Sequence, residues 1–153
     1  MVAVNVEVTG LREALIKLKG LGDRASNVGP IARDILLAAQ ADVDERFNSA
    51  PDTQTGGQVY GGVDWPHLSE EYLNRNPRRI GGQLLRDTGE LQQSYGIGGT
   101  GNIATVRPDQ IVFGSALPKA RGLANKRPQV FVHPALIETV SSIVELYVTG
   151  GGI

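Results

Sequence analysis

The chain has 153 residues, of which 41% are apolar and 20% are charged, a composition typical of one soluble globular domain. Fifteen Lys and Arg against 16 Asp and Glu give a net charge of -1, which excludes the strongly basic surface of a dedicated nucleic-acid binder. The absence of cysteine excludes disulfides, thiolate nucleophiles and Cys-ligated zinc.

The N-terminal residues predict a strand followed by a short helix. Valine occupies every second position from Val2 to Val8, which predicts a strand with one buried face. Leu11, Leu15 and Leu18 then recur at helical spacing and predict a short amphipathic helix. The sequence has no apolar run long enough for a membrane span, and its first residues do not predict a signal peptide.

The longest helical pattern runs from about Pro30 to Phe47. Proline suits the first turn of a helix, and apolar residues then recur at intervals of four. The predicted core-facing side consists of Ile31, Ile35, Ala39, Val43 and Phe47, with Ala32 and Leu36 beside them. The predicted solvent side consists of Asp42, Asp44, Glu45 and Arg46.

Two polar segments follow this helix. Residues 48–63 predict a loop of about 16 residues, a length that is uncommon in a compact domain unless the loop has a function. Ser69 is placed to cap a short helix through Tyr72 and Leu73. Residues 74–82 form the second polar segment and include Arg75, Arg78 and Arg79.

The second half of the chain predicts short elements and one further long helix. We expect a helix around residues 88–94, a strand near 95–97, and strands 103–107 and 110–113 joined by a turn at Pro108-Asp109. Residues 115–127 predict a polar loop containing Lys119, Arg121, Lys126 and Arg127. The last helix is expected from Pro134 to Val148.

These patterns predict one domain over residues 1–148 and a flexible, glycine-rich tail over residues 149–153. The predicted fold class is α+β. In this fold a small, mostly antiparallel sheet packs against two long helices, and long loops protrude from the domain.

Two stretches match catalytic or cofactor-binding motifs in residue type. Asp87-Thr88-Gly89 spells the aspartic-protease triplet, whose chemistry needs two carboxylates that share a proton. Arg86 before the triplet and Glu90 after it favour a helix N-terminus instead, in which Asp87 or Thr88 caps free amides. Residues 96–101 match G-x-G-x-x-G, but the predicted strand after them favours a hairpin loop over a nucleotide site.

The remaining residues predict no catalytic, metal or cofactor site. His67 and His133 each neighbour a proline and lack metal-ligand spacing, so loop or capping roles are expected. The sequence contains no nucleophile elbow and no phosphate-binding loop. We therefore expect a protein that is not an enzyme and has no cofactor.

The basic residues of the polar segments are the candidate contact residues. We expect them to touch neighbouring subunits or partner proteins, and the alternatives are solvated loop charge and contact with DNA phosphates. These residues are Arg75, Arg78, Arg79, Lys119, Arg121, Lys126 and Arg127.

Three blocks of sequence, in their order, resemble the phage virion morphogenesis, or tail-completion, family of tailed bacteriophages. Residues 65–69 are similar to the family's W-x-x-L-S/T segment, and residues 84–94 are similar to L-x-x-T/S-G-x-L-x-x-S. Residues 112–131 resemble V-G-T/S … P-x-R-P-F, although Ala116 to Ala120 and Gln129-Val130 depart from that pattern. The structural motif residues of the blocks are Trp65, Leu68, Leu85, Thr88, Gly89 and Leu91, of which Trp65 and the three leucines are expected to pack the blocks onto the sheet.

The resemblance implies a structural protein of the virion neck or tail, made in the host bacterial cytoplasm. Relatives of this kind form rings, commonly homohexamers, that cap the tail tube and dock it to the head connector. The implied partners are further copies of the chain, tail tube or sheath proteins and head–tail connector proteins. DNA would pass through the ring without sequence-specific binding, and no membrane is involved.

Three alternatives remain open from the sequence. Within the same class, the protein is a head-side connector or stopper of the neck. From other classes, it is an aspartic-type maturation protease based on Asp87-Thr88-Gly89, or a small DNA-binding module that uses its arginine segments.

Overall fold

The computed structural model describes residues 5–6, 28–108 and 110–149. These ranges contain both helices and short strands, and the predicted α+β fold class is confirmed. The strands are β1 (Asn5–Val6), β2 (Gly57–Gln58), β3 (Asp64–Trp65), β4 (Asn102–Arg107) and β5 (Gln110–Ser115). The α-helices are α1 (Ala32–Asn48), α2 (Glu70–Arg75), α3 (Glu90–Gln93), α4 (Pro118–Leu123) and α5 (Pro134–Thr149), with 3-10 turns at Gly29–Ile31 and Pro77–Arg79.

The larger sheet has β5 at its centre, with β4 antiparallel on one side and β1 parallel on the other. Arg107 pairs with Gln110, so β4 and β5 form the hairpin that was predicted at Pro108-Asp109. β2 and β3 form a separate antiparallel ribbon. The sheet is therefore small and mostly antiparallel, as predicted.

The two longest helices contribute nine of the 21 buried apolar residues in the described part of the chain. The predicted core-facing residues of α1 and the turn before it are all buried, and α5 buries Leu136, Val140 and Val144. They pack with Ile111 and Phe113 of β5. We call this assembly the helix–sheet core; it consists of Val28, Ile31, Ala32, Ile35, Leu36, Ala39, Val43, Phe47, Leu91, Tyr95, Ile111, Phe113, Ala120, Leu136, Val140 and Val144.

A second, smaller core lies outside the long helices. Ala50, Val59, Trp65 and Leu84 are buried together, and we call them the tryptophan cluster. Two of these residues come from the segment that was expected to be a protruding loop. The edge of the Trp65 ring contacts Phe47, with ring centroids 5.8 Å apart, so the cluster adjoins the helix–sheet core.

Hydrogen bonds at Thr53 explain why residues 48–63 do not protrude as predicted. The Thr53 amide donates to the Gly82 carbonyl at 2.9 Å, and the Leu68 amide donates to the Thr53 carbonyl at 2.8 Å. The buried Thr53 hydroxyl donates to the Arg79 carbonyl at 2.6 Å. These bonds join residues 48–63 to Leu68 and to the second polar segment, residues 74–82. Polar composition alone does not reveal such bonds.

Three local predictions in the second half of the chain are corrected. The helix expected over residues 88–94 is shorter, and the strand expected at 95–97 is a turn closed by a hydrogen bond from the Gly99 amide to the Gly96 carbonyl at 2.8 Å. Glycines at this turn favour its conformations over an extended strand, and Gly98 has φ 80°. The polar loop expected over residues 115–127 contains α4, which begins at a proline as first turns allow.

Part of the predicted N-terminal strand is present as β1, but the rest of that strand and the helix expected from Leu11 to Leu18 lie outside the described residues. Residues 150–153 of the expected tail also lie outside them. No helix in the described part of the chain has both the length and the apolar content to cross a membrane.

Candidate functional site

A groove of about 460 Å³ opens between α2, α3 and the α4 segment. The first sequence block contributes Leu68, the second contributes Leu85 and Leu91, and the third contributes Leu123. These three segments are distant in sequence, and the fold places them around one concave surface. We call this surface the block groove.

The leucines of the block groove also belong to the two cores beneath it. Leu91 is buried in the helix–sheet core, whereas Leu68 and Leu85 are half-buried and pack against the tryptophan cluster. Trp65 is fully buried in that same cluster. Leu85 and Leu91 therefore pack against the core that contains the larger sheet, as expected. Trp65 and Leu68 pack in the tryptophan cluster instead.

Two backbone positions shape the wall of the groove. Leu85 has φ 58° and is the only non-glycine with positive φ among the described residues. Such a conformation costs a branched side chain about 1–2 kcal/mol, so packing must hold it in place. Gly89 has φ 83° and precedes α3, where the absence of a Cβ permits the left-handed turn.

Two of the predicted contact residues, Arg79 and Arg127, are buried at the groove. Arg127 donates from Nε to the Pro66 carbonyl at 2.8 Å and from Nη2 to the His67 carbonyl at 2.9 Å. Burial lowers the pKa of Arg127 from its ordinary value. These bonds join the third sequence block to the first, so this arginine acts within the subunit and does not project from a loop.

Arg79 forms a similar set of hydrogen bonds to carbonyls around the start of the second block. Its Nη2 donates to the Gln83 carbonyl at 3.0 Å and its Nη1 to the Arg86 carbonyl at 3.3 Å. Its Nε is the one buried side-chain nitrogen or oxygen without a hydrogen-bond partner in the described part of the chain. Arg79 therefore stabilises the loop before α3, and within the described residues its guanidinium has no ion pair.

Exposed ion pairs lie at the rim of the block groove. Arg78 binds both carboxylate oxygens of Asp87, and Lys119 donates to Glu90 at 2.5 Å. The hydrogen bonds from Arg78 lower the pKa of Asp87 and, in return, Asp87 raises the pKa of Arg78. Exposed pairs of this kind contribute little to stability because solvent screens them.

The geometry at Asp87 bears on two predictions made from its triplet. Asp87 was expected to cap α3, but the N-cap residue is Gly89, and the Asp87 carboxylate binds Arg78 instead. The Thr88 hydroxyl lies 3.4 Å from the Glu90 amide, too long for a strong cap. The Asp87 carboxylate is exposed and bound by an arginine, whereas the carboxylates of an aspartyl dyad share a proton with each other.

The other predicted contact residues lie on the surface. Lys126 lines the groove and is exposed, whereas Arg75 and Arg121 are exposed away from its lining. Arg75 pairs with Glu71 on α2. Contact of these residues with a subunit or partner stays a prediction.

A buried ionic network at the end of α1 was missed by the sequence analysis. Asp42 and Arg46 were predicted to face solvent, but Asp42 is 8% exposed and Arg46 is 0% exposed. Asp42 accepts from Arg46 Nη2 at 2.8 Å and also binds Nε2 of buried His133. His133 lies in irregular chain directly before α5, as expected, and its carbonyl accepts from the Ile137 amide in the first turn of that helix. The pairing of its buried side chain with Asp42 was not expected.

Arg46 connects this network to distant parts of the chain. Its Nη1 donates to the Gln129 carbonyl at 2.7 Å, its Nε donates to the Tyr60 carbonyl at 2.8 Å, and its guanidinium lies 4.0 Å from the Phe131 ring centroid. Burial lowers the pKa of Arg46, while the Asp42 carboxylate opposes that shift. The four-residue spacing of Asp42 and Arg46 was the only sequence signal of their pairing.

No protein-family model, curated protein or solved structure matches this chain. Among the described residues, no three His, Asp or Glu side chains converge as a metal site requires. The arrangement of the three sequence blocks around the groove is therefore the main structural feature from which a function can be argued.

Proposed function

We propose that the protein is a structural component of the neck or tail of a bacteriophage virion, a tail terminator or tail-completion protein that assembles as a ring. The observation that supports this is the convergence of the three family-like blocks on the block groove. Segments that resembled a family by chance would have no reason to share one surface. The proposed role needs no catalysis, only surfaces that bind other copies and neighbouring proteins.

The edge of the larger sheet is the best candidate for contact between copies. Among the described strands, β4 pairs with β5 on one side and with none on the other. Val106 is opposite Ile111 and shares its face of the sheet, yet Val106 is 44% exposed while Ile111 is 0% exposed. A free strand edge beside an exposed valine is a surface that soluble proteins usually cover.

A ring requires each copy to present two different surfaces, because its interfaces are heterologous and close only after a full turn. We assign the β4 edge to one of them. Such a ring would cap the tail tube, dock it to the head connector and allow DNA to pass through its centre. The partners are then tail tube or sheath proteins and connector proteins.

The test is the mass of the purified protein in solution, measured by light scattering over a concentration series. We expect a discrete species of roughly six subunits, in keeping with closed symmetry. Val106→Lys should dissociate it, because a charge would enter the covered face. Thr105→Lys adds the same charge on the opposite face of β4 and is the matched control.

Two results would contradict the proposal. One is a monomer at every concentration that also fails to co-purify with a tail tube protein. The other is an equal change in the mass of the protein with Val106→Lys and with Thr105→Lys, which would show that this face of β4 is not an interface between copies.

A further inference from the structure

The block groove carries positive charge that the carboxylates around it do not neutralise. Arg79, Lys126 and Arg127 line it, and within the described residues none of the three has an ion pair. The two carboxylates of its lining are Asp87 and Glu90, and both are already engaged at the rim. The surface therefore has a surplus of cations over anions.

The buried guanidinium of Arg79 is a second feature of the groove wall. Arg79 is 6% exposed, and its Nε has no acceptor. Buried charged groups are usually paired, because desolvation without a partner is costly. A negative charge in the groove would compensate this guanidinium and that of Arg127 together.

The rest of the lining is apolar, which constrains the chemistry of that anion. Leu68, Leu85, Leu91 and Leu123 surround the charged groups. A phosphate backbone would leave these leucines uncovered, whereas a peptide can supply both a carboxylate and an apolar side chain. The volume of about 460 Å³ is within the range of sites that enclose a few side chains.

We propose that the block groove is a docking site for a short peptide segment of a partner protein, in which an acidic residue stands beside a leucine-like residue. The apolar side chain packs among the groove leucines, and the carboxylate binds Lys126 with support from the charges of Arg79 and Arg127. The Lys119–Glu90 pair is exposed, so Lys119 is free to exchange Glu90 for a second carboxylate. This proposal depends on the groove alone and does not require a ring.

The probe is a fluorescein-labelled peptide with the sequence Ser-Asp-Leu-Glu-Leu-Ser, titrated with the full chain and followed by fluorescence anisotropy. A second peptide replaces Asp and Glu with Asn and Gln and keeps the leucines. We expect the acidic peptide to bind about tenfold more tightly, because its hydrogen bonds to the groove are charge-assisted. Backbone amide shifts in NMR spectra should change at Leu68, Thr88, Leu91 and Lys126.

Variants of two exposed cations provide the matched comparison. Lys126→Glu should weaken binding of the acidic peptide by about tenfold or more, since a repulsive charge replaces an attractive one. Arg121→Glu makes the same charge change five positions earlier, outside the lining, and should weaken binding by less than about threefold because salt screens it. Both side chains are exposed, so neither variant should disturb the fold.

Several outcomes would overturn the proposal. Equal binding of the acidic and amide peptides, or equal effects of Lys126→Glu and Arg121→Glu, would show that the groove does not bind a carboxylate. Displacement of the peptide by duplex DNA, with tighter binding of the DNA, would assign the groove to nucleic acid. A change in the mass of the protein itself with Lys126→Glu, without peptide binding, would assign it to a second copy of the chain. A monomer that binds the acidic peptide would instead contradict only the ring.

Discussion

The helix–sheet core and the tryptophan cluster are stabilised by different means. The core consists mainly of periodic apolar residues on two long helices and one strand. The cluster has four buried apolar side chains, and Thr53, Arg79 and Arg127 surround it with hydrogen bonds to backbone carbonyls of other segments. Irregular chain can thus be ordered when long polar side chains satisfy the carbonyls that helices and sheets would otherwise satisfy.

The largest expected effect comes from the residue that connects the two regions. Phe47 is 0% exposed and contacts Trp65, and its ring lies 6.1 Å from the Tyr95 ring. Phe47→Ala should lower the free energy of unfolding by about 4 kcal/mol. It should also separate two transitions in urea, followed by far-UV circular dichroism and by the fluorescence of Trp65, the only tryptophan.

Phe113→Ala is the control, because Phe113 belongs to the helix–sheet core and contacts Tyr95 but is not part of the tryptophan cluster. It should destabilise the protein while the two probes remain coincident. Coincident probes in Phe47→Ala would mean that the two regions unfold as one unit without this contact.

The second prediction concerns the buried network at the end of α1. Asp42→Ala should cost about 3 kcal/mol, because it leaves the Arg46 guanidinium buried without its carboxylate. Asp34→Ala on the exposed side of the same helix should cost less than about 0.5 kcal/mol. Adding Arg46→Met to Asp42→Ala should restore part of the loss, and a strictly additive double mutant in urea denaturation would argue against coupling.

The third prediction tests the arginines that surround the tryptophan cluster. Arg127→Ala should cost about 2 kcal/mol, because it leaves the carbonyls of Pro66 and His67 without their donors. Arg127→Lys should recover little, since one ammonium cannot reproduce the two directions of the guanidinium. Arg121→Ala is the exposed control in the same segment. If it lowered the free energy of unfolding as much as Arg127→Ala does, the hydrogen bonds of Arg127 would not explain the loss.

The smallest effect is expected at the rim of the groove. Asp87→Asn removes an exposed ion pair, so thermal stability near neutral pH should fall only slightly. The pKa of folded Asp87 lies below its unfolded value, so its contribution is present above the unfolded pKa and is lost as pH falls through the lowered pKa. The melting temperatures of the two proteins should therefore converge in acid, and a gap that widened there would contradict this sign.

The sequence predicted the helices and strands whose residue patterns lie within the element itself. α1 and α5 followed from apolar residues one helical turn apart, and the β4–β5 hairpin followed from two strands around Pro108-Asp109. The strand expected at 95–97 was wrong. The glycines after Tyr95 allow a turn there, and the apolar residues of this segment do not reveal it.

The candidate site was only partly predictable. Leu68, Leu85 and Leu91 were named from the sequence blocks, but nothing in the sequence placed them around one groove. Arg79 and Arg127 were expected to contact subunits or partner proteins. Their internal role was not predictable because their acceptors are backbone carbonyls, which every residue possesses. Pairing of Asp42 with His133 spans 91 positions, a distance at which composition and periodicity carry no information.

That long separation has a consequence for how the chain acquires its fold during synthesis. Arg46 binds a carbonyl 83 positions later and Asp42 binds a side chain 91 positions later, while the helix that follows closes the helix–sheet core. Contacts between residues this far apart in the sequence form slowly, and only after the second residue has been synthesised. Part of the apolar side of the first long helix therefore stays uncovered until the last helix has been synthesised.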